Sequence, residues 1–375
     1  MSKESMGYDA AHIEVLEARA SVRRRPGMFV GSTGERGLRV LVFEVAERPV
    51  NDVLAGRARS VGVTLTADGR VRVHDDGPGV PVEAAGHTGG PGLETELTRM
   101  RGAAGPGSRR TLAMSLFGVG PFVTNALSSR LTAEVRRDGV RWVQEYARGE
   151  ALAPPTAAGP ADTSGTTITF RPDAGIFEST EFSYAPLAQR FRELAFLYPE
   201  LDITLTDERH PDGPRSERFR FPGGIRDLVA FLDAEAGEPL HQDIVVLRRE
   251  DPRTEGTIEA ALRWSDAPGE RIQGFVNSLP THEGGTHLDG LRDGVVAALG
   301  GRTRADQVLE GLTAVVSVKL DRPDLRGATR SRLADPVVRT CVAEAVREHL
   351  GAWLEEHPRQ AASVTGRPAR GTGDA

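Results

Sequence analysis

Glu44-Val45-Ala46-Glu47-Arg48-Pro49-Val50-Asn51-Asp52, on a helical pattern, is followed one strand later by Val73-His74-Asp75-Asp76-Gly77-Pro78-Gly79-Val80-Pro81. A carboxylate that ends a strand and precedes Gly-x-Gly can accept a hydrogen bond from the amino group of a heterocycle, because the glycines let a ring approach the backbone. Asp75, Gly77 and Gly79 therefore read as the floor of a ring-binding pocket. The facing Arg48-Pro49 pair suits a magnesium-triphosphate poorly. A guanidinium has no lone pair for a cation, and proline removes a backbone donor and can disturb its helical turn.

On either side of this stretch, Val61–Ala67 and Val71–His74 alternate as strands about an Asp68-Gly69 turn. Leu131–Arg137 and Val140–Ala147 do the same about Asp138-Gly139. Thr166–Arg171 and Leu201–Thr206 add two strands, residues 38–55 a helix, and residues 1–24 a polar arm leading into an amphipathic helix. Phe221-Pro222-Gly223-Gly224 punctuates the chain. Beyond it Thr257–Ser265 and Gly311–Lys319 read as strands and Pro336–Leu354 as a long helix. The expected architecture is an α+β chain: an α/β sandwich with a mixed sheet over residues 1–220, a second domain over 221–360, and a disordered tail over 361–375.

A chain of 375 residues is long for one core. Its net charge of −6 argues against a general nucleic-acid-binding surface. Lys3 and Lys319 are the only lysines, so a flexible ammonium is rarely at hand where chemistry needs one. The single cysteine, Cys341, excludes an intrachain disulfide framework and points to a packing role in a reducing compartment. With no long apolar run and no basic-then-apolar start, a cytoplasmic protein with no membrane association is expected.

Several segments resemble the ATPase and transducer region of the DNA gyrase B family, members of the GHKL ATPases. They include Ile13-Glu14-Val15-Leu16-Glu17, Arg24-Arg25-Pro26-Gly27-Met28-Phe29-Val30-Gly31-Ser32-Thr33 and Asn125-Ala126-Leu127-Ser128-Ser129. Ser164-Gly165-Thr166-Thr167-Ile168-Thr169-Phe170, Thr281-His282-Glu283-Gly284-Gly285-Thr286-His287 and Glu348-His349-Leu350-Gly351-Ala352-Trp353 continue the match, which runs in order over residues 8–365. The resemblance implies a Bergerat-type GHKL sandwich followed by a ribosomal-S5-like transducer. The segment matching the family's DNA-cleaving half is absent, so this polypeptide is not expected to break DNA alone. By the same resemblance, His282 and His287 are transducer residues and no metal site is expected.

The resemblance places Glu44 where the family's general base orients the attacking water, Asp75 at the adenine-binding aspartate and Thr166 at its water-sharing threonine. Arg137 matches the pocket-mouth arginine that coumarin-type inhibitors contact, and Tyr8 the arm tyrosine that reaches across to the other protomer. The triphosphate side is depleted. Arg48 replaces the magnesium-binding asparagine and Pro78 an arginine of the Gly-rich motif. The lid reads Thr111-Leu112-Ala113-Met114-Ser115-Leu116-Phe117-Gly118-Val119-Gly120, where the family has a lysine, two further glycines and a histidine. Ala328-Thr329-Arg330 stands for the transducer's Gln-Thr-Lys, Arg330 keeping only a charge. Losing even two charge-assisted phosphate contacts costs on the order of 3–6 kcal/mol. ATP and magnesium binding are therefore read as impaired, no cofactor is expected, and ATP hydrolysis is not expected.

Two readings stay open at each changed residue. Glu44 is a base for a new reaction or a relic paired with Arg48 at i+4. Arg48 clamps a ligand carboxylate or is a solvated charge. Met114, Leu116 and Phe117 line an apolar cavity or close a vacated one. The expected ligand set is Arg48, Asp75, Gly77, Gly79, Arg137, Thr166, Phe117, Gly118, Gly120 and Arg330, with Glu44 and Asp75 catalytic. The first functional expectation is a homodimeric gyrase-B-like module whose pocket takes a small molecule, as a non-redox cyclase or isomerase of specialised metabolism. The alternatives are a non-catalytic receptor or self-resistance protein for gyrase-directed antibiotics, and an ATP-binding gyrase component or regulator that contacts an authentic gyrase. DNA binding by the chain alone is not expected.

Overall fold

The computed structural model describes residues 17–83, 92–100, 112–114, 118–234, 237–300, 308–327 and 331–366. The two hairpins marked by Asp-Gly form as expected. Strand β1 (Val61–Leu65) turns into β2 (Val71–Asp75), with Leu65 opposite Val71 and Gly69 at φ +78°. Strand β3 (Ser128–Arg137) turns into β4 (Val140–Ala147) through Asp138 at φ +53° and Gly139 at φ +76°. At the β3–β4 turn, positive φ at both central residues matches the right-handed strand twist, whereas at β1–β2 Gly69 alone adopts it.

These strands join β5 (Glu150–Ala151), β6 (Thr156–Pro160), β7 (Gly165–Pro172), β8 (Ile203–Asp207) and β9 (Arg215–Phe219) in a nine-stranded mixed sheet of order β5-β4-β3-β7-β2-β1-β8-β9, with β6 paired to β4. Along β2, Val71, Val73 and Asp75 are buried while Arg72 and His74 are exposed. Asp75 thus continues the inward row, placing its carboxylate on the helix-covered face.

That face is covered by α1 (Ala18–Arg24), α2 (Gly27–Val30), α3 (Glu35–Leu54), α4 (Leu93–Thr98), α5 (Pro121–Ala126) and α6 (Tyr184–Leu197), whose buried apolar side chains share one core with the sheet. Helix α3 starts three residues before its expected limit and runs unbroken past Pro49. The proline deletes one ladder bond, but the last turn gains side-chain ties: Asn51 Nδ2 donates to Glu47 O at 2.8 Å, and Arg48 pairs with Asp52 at 2.8 Å.

Helix α7 (Ile225–Asp233) follows the Pro-Gly-Gly punctuation, yet its Ile225, Leu228 and Val229 join the first core together with Ala261, Phe275 and Val315. Beyond it β10 (Val245–Asp251), β11 (Gly256–Trp264), β12 (Arg271–Val276), β13 (Leu279–Pro280) and β14 (Leu312–Leu320) form a second sheet of order β10-β11-β14-β12-β13. Helix α8 (Thr286–Leu299) and the long helix Pro336–Glu356 pack a second core against it. They approach closely at Gly290, where an added Cβ would lie 2.4 Å from Arg339 O. Cys341 is buried in this core, as its helical setting suggested.

The expected tail is corrected in part. Pro358–Thr365 is a helix with Ala361 and Val364 buried, and Gln360 Nε2 donates to Asp243 Oδ2 at 2.6 Å. Two small apolar residues three apart give an otherwise polar segment one edge to bury, which composition alone hides.

Candidate functional site

Glu44, Glu47, Arg48, Asn51 and Asp52 are spaced by three and four residues along α3 and so share one side of the helix. Arg48 is the centre of what that side does. Its Nη1 donates to Asp52 Oδ2 and its Nη2 to Asp75 Oδ2, each at 2.8 Å, while Nε lies 3.7 Å from Glu96 Oε1. Asp52 is also gripped by Arg57, through Nε at 2.9 Å and Nη2 at 2.6 Å. Burial alone would pull the Arg48 guanidinium down, but Asp75, Glu96 and Asp52 outweigh it and hold its pKa above the ordinary value. Arg48 is thus not a solvated charge but one paired with the protein's own acids.

Asp75 is correspondingly enclosed, its side chain only 1% exposed. Beyond Arg48, its Oδ1 accepts from Gly77 N at 2.9 Å and Thr166 N at 3.3 Å. Thr166 Oγ1 in turn accepts from Val80 N at 3.1 Å, and Arg137 Nη1 donates to Gly79 O at 2.8 Å. Gly79, at φ +74°, approaches so closely that a Cβ would sit 2.7 Å from Arg136 O. The expected floor residues are therefore brought together, but they bond to one another. The void between Val45, Arg48, Val80, Leu93, Glu96 and Thr166 measures about 10 Å³. That is about one water, against about 300–1,000 Å³ for a usual ligand site.

Glu44 turns one carboxylate oxygen to a backbone amide. Its Oε2 accepts from Gly120 N at 2.6 Å, where α5 begins, and the acid partners of Arg48 are Asp52, Asp75 and Glu96. Spacing of i,i+4 put Glu44 within reach of Arg48, but the neighbouring backbone amide at a helix start supplies a fixed partial positive charge and captures it. Glu47 Oε2 likewise accepts from Met114 N at 3.0 Å. Asn51 reads both polar groups of Leu112, accepting from its N at 2.8 Å and donating to its O at 2.9 Å.

Glu47, Asn51, Asp52 and Glu96 were not singled out from the sequence. The first three carried a signal, being polar residues in register with Glu44 and Arg48 along α3. Glu96, on a separate short helix, carried none. Gly118 and Gly120 adopt φ +53° and +78° beside this row. Phe117, Arg330 and Tyr8 lie outside the described residues. Met114 is buried with the first core, not among the residues lining the small void.

No group of three or more His, Cys, Asp or Glu side chains among the described residues is placed to hold a metal ion. Among the described residues, Arg48 offers a cation no lone pair, and the carboxylates of Glu44 and Glu47 accept from Gly120 N and Met114 N. His287 in the second core shares a 2.9 Å hydrogen bond with Thr281 Oγ1, and burial pushes it down to about 3. No described helix is long and apolar enough to cross a membrane.

A DNA gyrase B family model matches residues 224–370. The DNA gyrase B protein of Streptomyces coelicolor is 39% identical over 96% of this chain and 57% of its own length. The novobiocin-resistant DNA gyrase B protein of Streptomyces niveus is 38% identical over 95% of the chain and 57% of its own length. The chain thus spans somewhat over half the length of these relatives. Among solved structures, the 43K ATPase domain of Thermus thermophilus gyrase B, in complex with an aminocoumarin, superposes with a TM-score of 0.77 at 32% identity, covering 92% of both chains.

Proposed function

The chain belongs to the DNA gyrase B family, and on that premise we propose that it is an ATPase–transducer module whose nucleotide pocket is filled by its own side chains and does not turn over ATP. The carrying observation is the 2.8 Å bond from Arg48 Nη2 to Asp75 Oδ2. The resemblance puts an adenine amino donor at that carboxylate, and a guanidinium of the protein now supplies the donor. It also puts phosphate oxygens against lid amides. Here the carboxylates of Glu44 and Glu47 accept from Gly120 N and Met114 N instead. A ligand would have to break a largely buried ion pair, at about 3–5 kcal/mol, before making any contact of its own.

The module acts in this reading through association, as a homodimer or as a partner of an authentic gyrase, and not through chemistry. A cyclase or isomerase loses support because both candidate acids are engaged, Glu44 by Gly120 N and Asp75 by Arg48. Phosphate release from ATP and magnesium is the deciding measurement. None is expected above a protein-free control; steady cation-dependent release that disappears in Glu44→Gln overturns the proposal.

The antibiotic-receptor reading keeps one observation: Asp75, Thr166 and Arg137 gather at one place, and a similar structure holds an aminocoumarin. Calorimetry with an aminocoumarin separates it, since absence of heat at high micromolar concentration removes it.

A further inference from the structure

Leu112, Ala113 and Met114 are each nearly fully buried, although they belong to no helix or strand. A buried irregular segment must find partners for its backbone, and these come from two directions. From the first unit, Asn51 bonds both the N–H and C=O of Leu112, and Glu47 accepts from Met114 N. From the second, Ser278 Oγ donates to Ala113 O.

Ser278 sits in the β12–β13 turn, which is itself anchored. Asn277, at φ +56°, donates its N–H to Val318 O and accepts from Leu320 N through Oδ1, each at 2.8 Å. Arg190 of α6, held by Glu193, donates to Ser278 O at 2.9 Å. A continuous polar path therefore runs from the Arg48-bearing helix through residues 112–114, here termed the strap, into the middle of the second sheet. The larger void at the opposite end of β2, about 650 Å³, is lined by arginines already paired with its own acids, Arg70 with Asp68 and Arg209 with Asp207.

We propose that Leu112–Met114 is a built-in latch: α3 and the Asn277–Ser278 turn grip it from both sides, so that the two sheets are held in one fixed relation. The latch stands on these hydrogen bonds and goes beyond the reading of Arg48, since a module with residual ATP turnover could still be latched.

Hydrogen exchange on the full chain, with and without Ser278→Ala, tests the grip from the far side. Release of Ala113 O should speed exchange of the Leu112 and Met114 amides by about tenfold, the equivalent of one hydrogen bond. Unchanged exchange overturns the latch. A second measurement uses spin labels at Arg59→Cys and Glu355→Cys, both exposed, while the native Cys341 is buried. One narrow distance population is expected without nucleotide and unaltered by ATP and magnesium. Asn51→Ala with Ser278→Ala should broaden it. A broad or ATP-shifted distribution in the unaltered latch overturns the proposal, whatever the phosphate-release assay reads.

Discussion

The floor of the pocket and the strap above it solve the same problem by different physics. At the floor, a guanidinium is set against buried carboxylates, and Arg48 draws Asp52, Asp75 and Glu96 around one cation. At the strap, side chains of α3 bond the backbone, as Glu47 does Met114 N and Asn51 does Leu112. Removing a partner at the floor strands charge in low dielectric; removing one at the strap strands a dipole. One helix face thus engages side-chain acids and a backbone segment at once.

A hierarchy of effects should follow from this difference. Arg48→Ala should be the most damaging, lowering stability in chemical denaturation by about 3–5 kcal/mol because three acids lose their shared cation. A loss under about 1 kcal/mol would remove the floor's special status. Glu47→Ala should cost about 1.5–3 kcal/mol through the charge-assisted bond to Met114 N, measured the same way. An equal loss at both sites would erase the distinction between charge and dipole.

A pH scan sharpens the contrast with the second core. The His287 pKa is held near 3 by burial, below its unfolded value near 6.5, so the unfolded state binds the extra proton first. The stabilising contribution is complete above about 6.5 and is lost as pH falls toward 3, with a slope of up to about 1.4 kcal/mol per pH unit. His287→Gln should flatten that slope, whereas Arg48→Ala should leave the His287 contribution in place. The smallest effect is expected at Asp335, whose carboxylate accepts from Val337 N at 2.9 Å and caps the long helix. Asp335→Ala should cost about 1 kcal/mol and leave exchange at the strap amides unchanged.

Much of the scaffold could be read from residue order because its causes are local. Asp68-Gly69 and Asp138-Gly139 announce turns that need positive φ, and the alternation of Val71, Val73 and Asp75 already points that carboxylate inward. That Arg48 has no lone pair to give a metal was equally legible, since it follows from side-chain chemistry alone. Family membership rested on such short runs taken in order along nearly the whole chain.

Which acids that arginine would meet was not legible. Glu44 lay one turn away and was the natural partner by spacing, yet it went to Gly120 N, while Arg48 reached Asp75 and Glu96 on other elements. Helical spacing sets which side chains share a side; it does not say what is brought against that side. The approach of α4, β2 and the strap to α3 follows from burying the common core, a cooperative result of many distant apolar residues. Chemistry available at each position was thus written in the order of residues, and the choice among partners was made by packing.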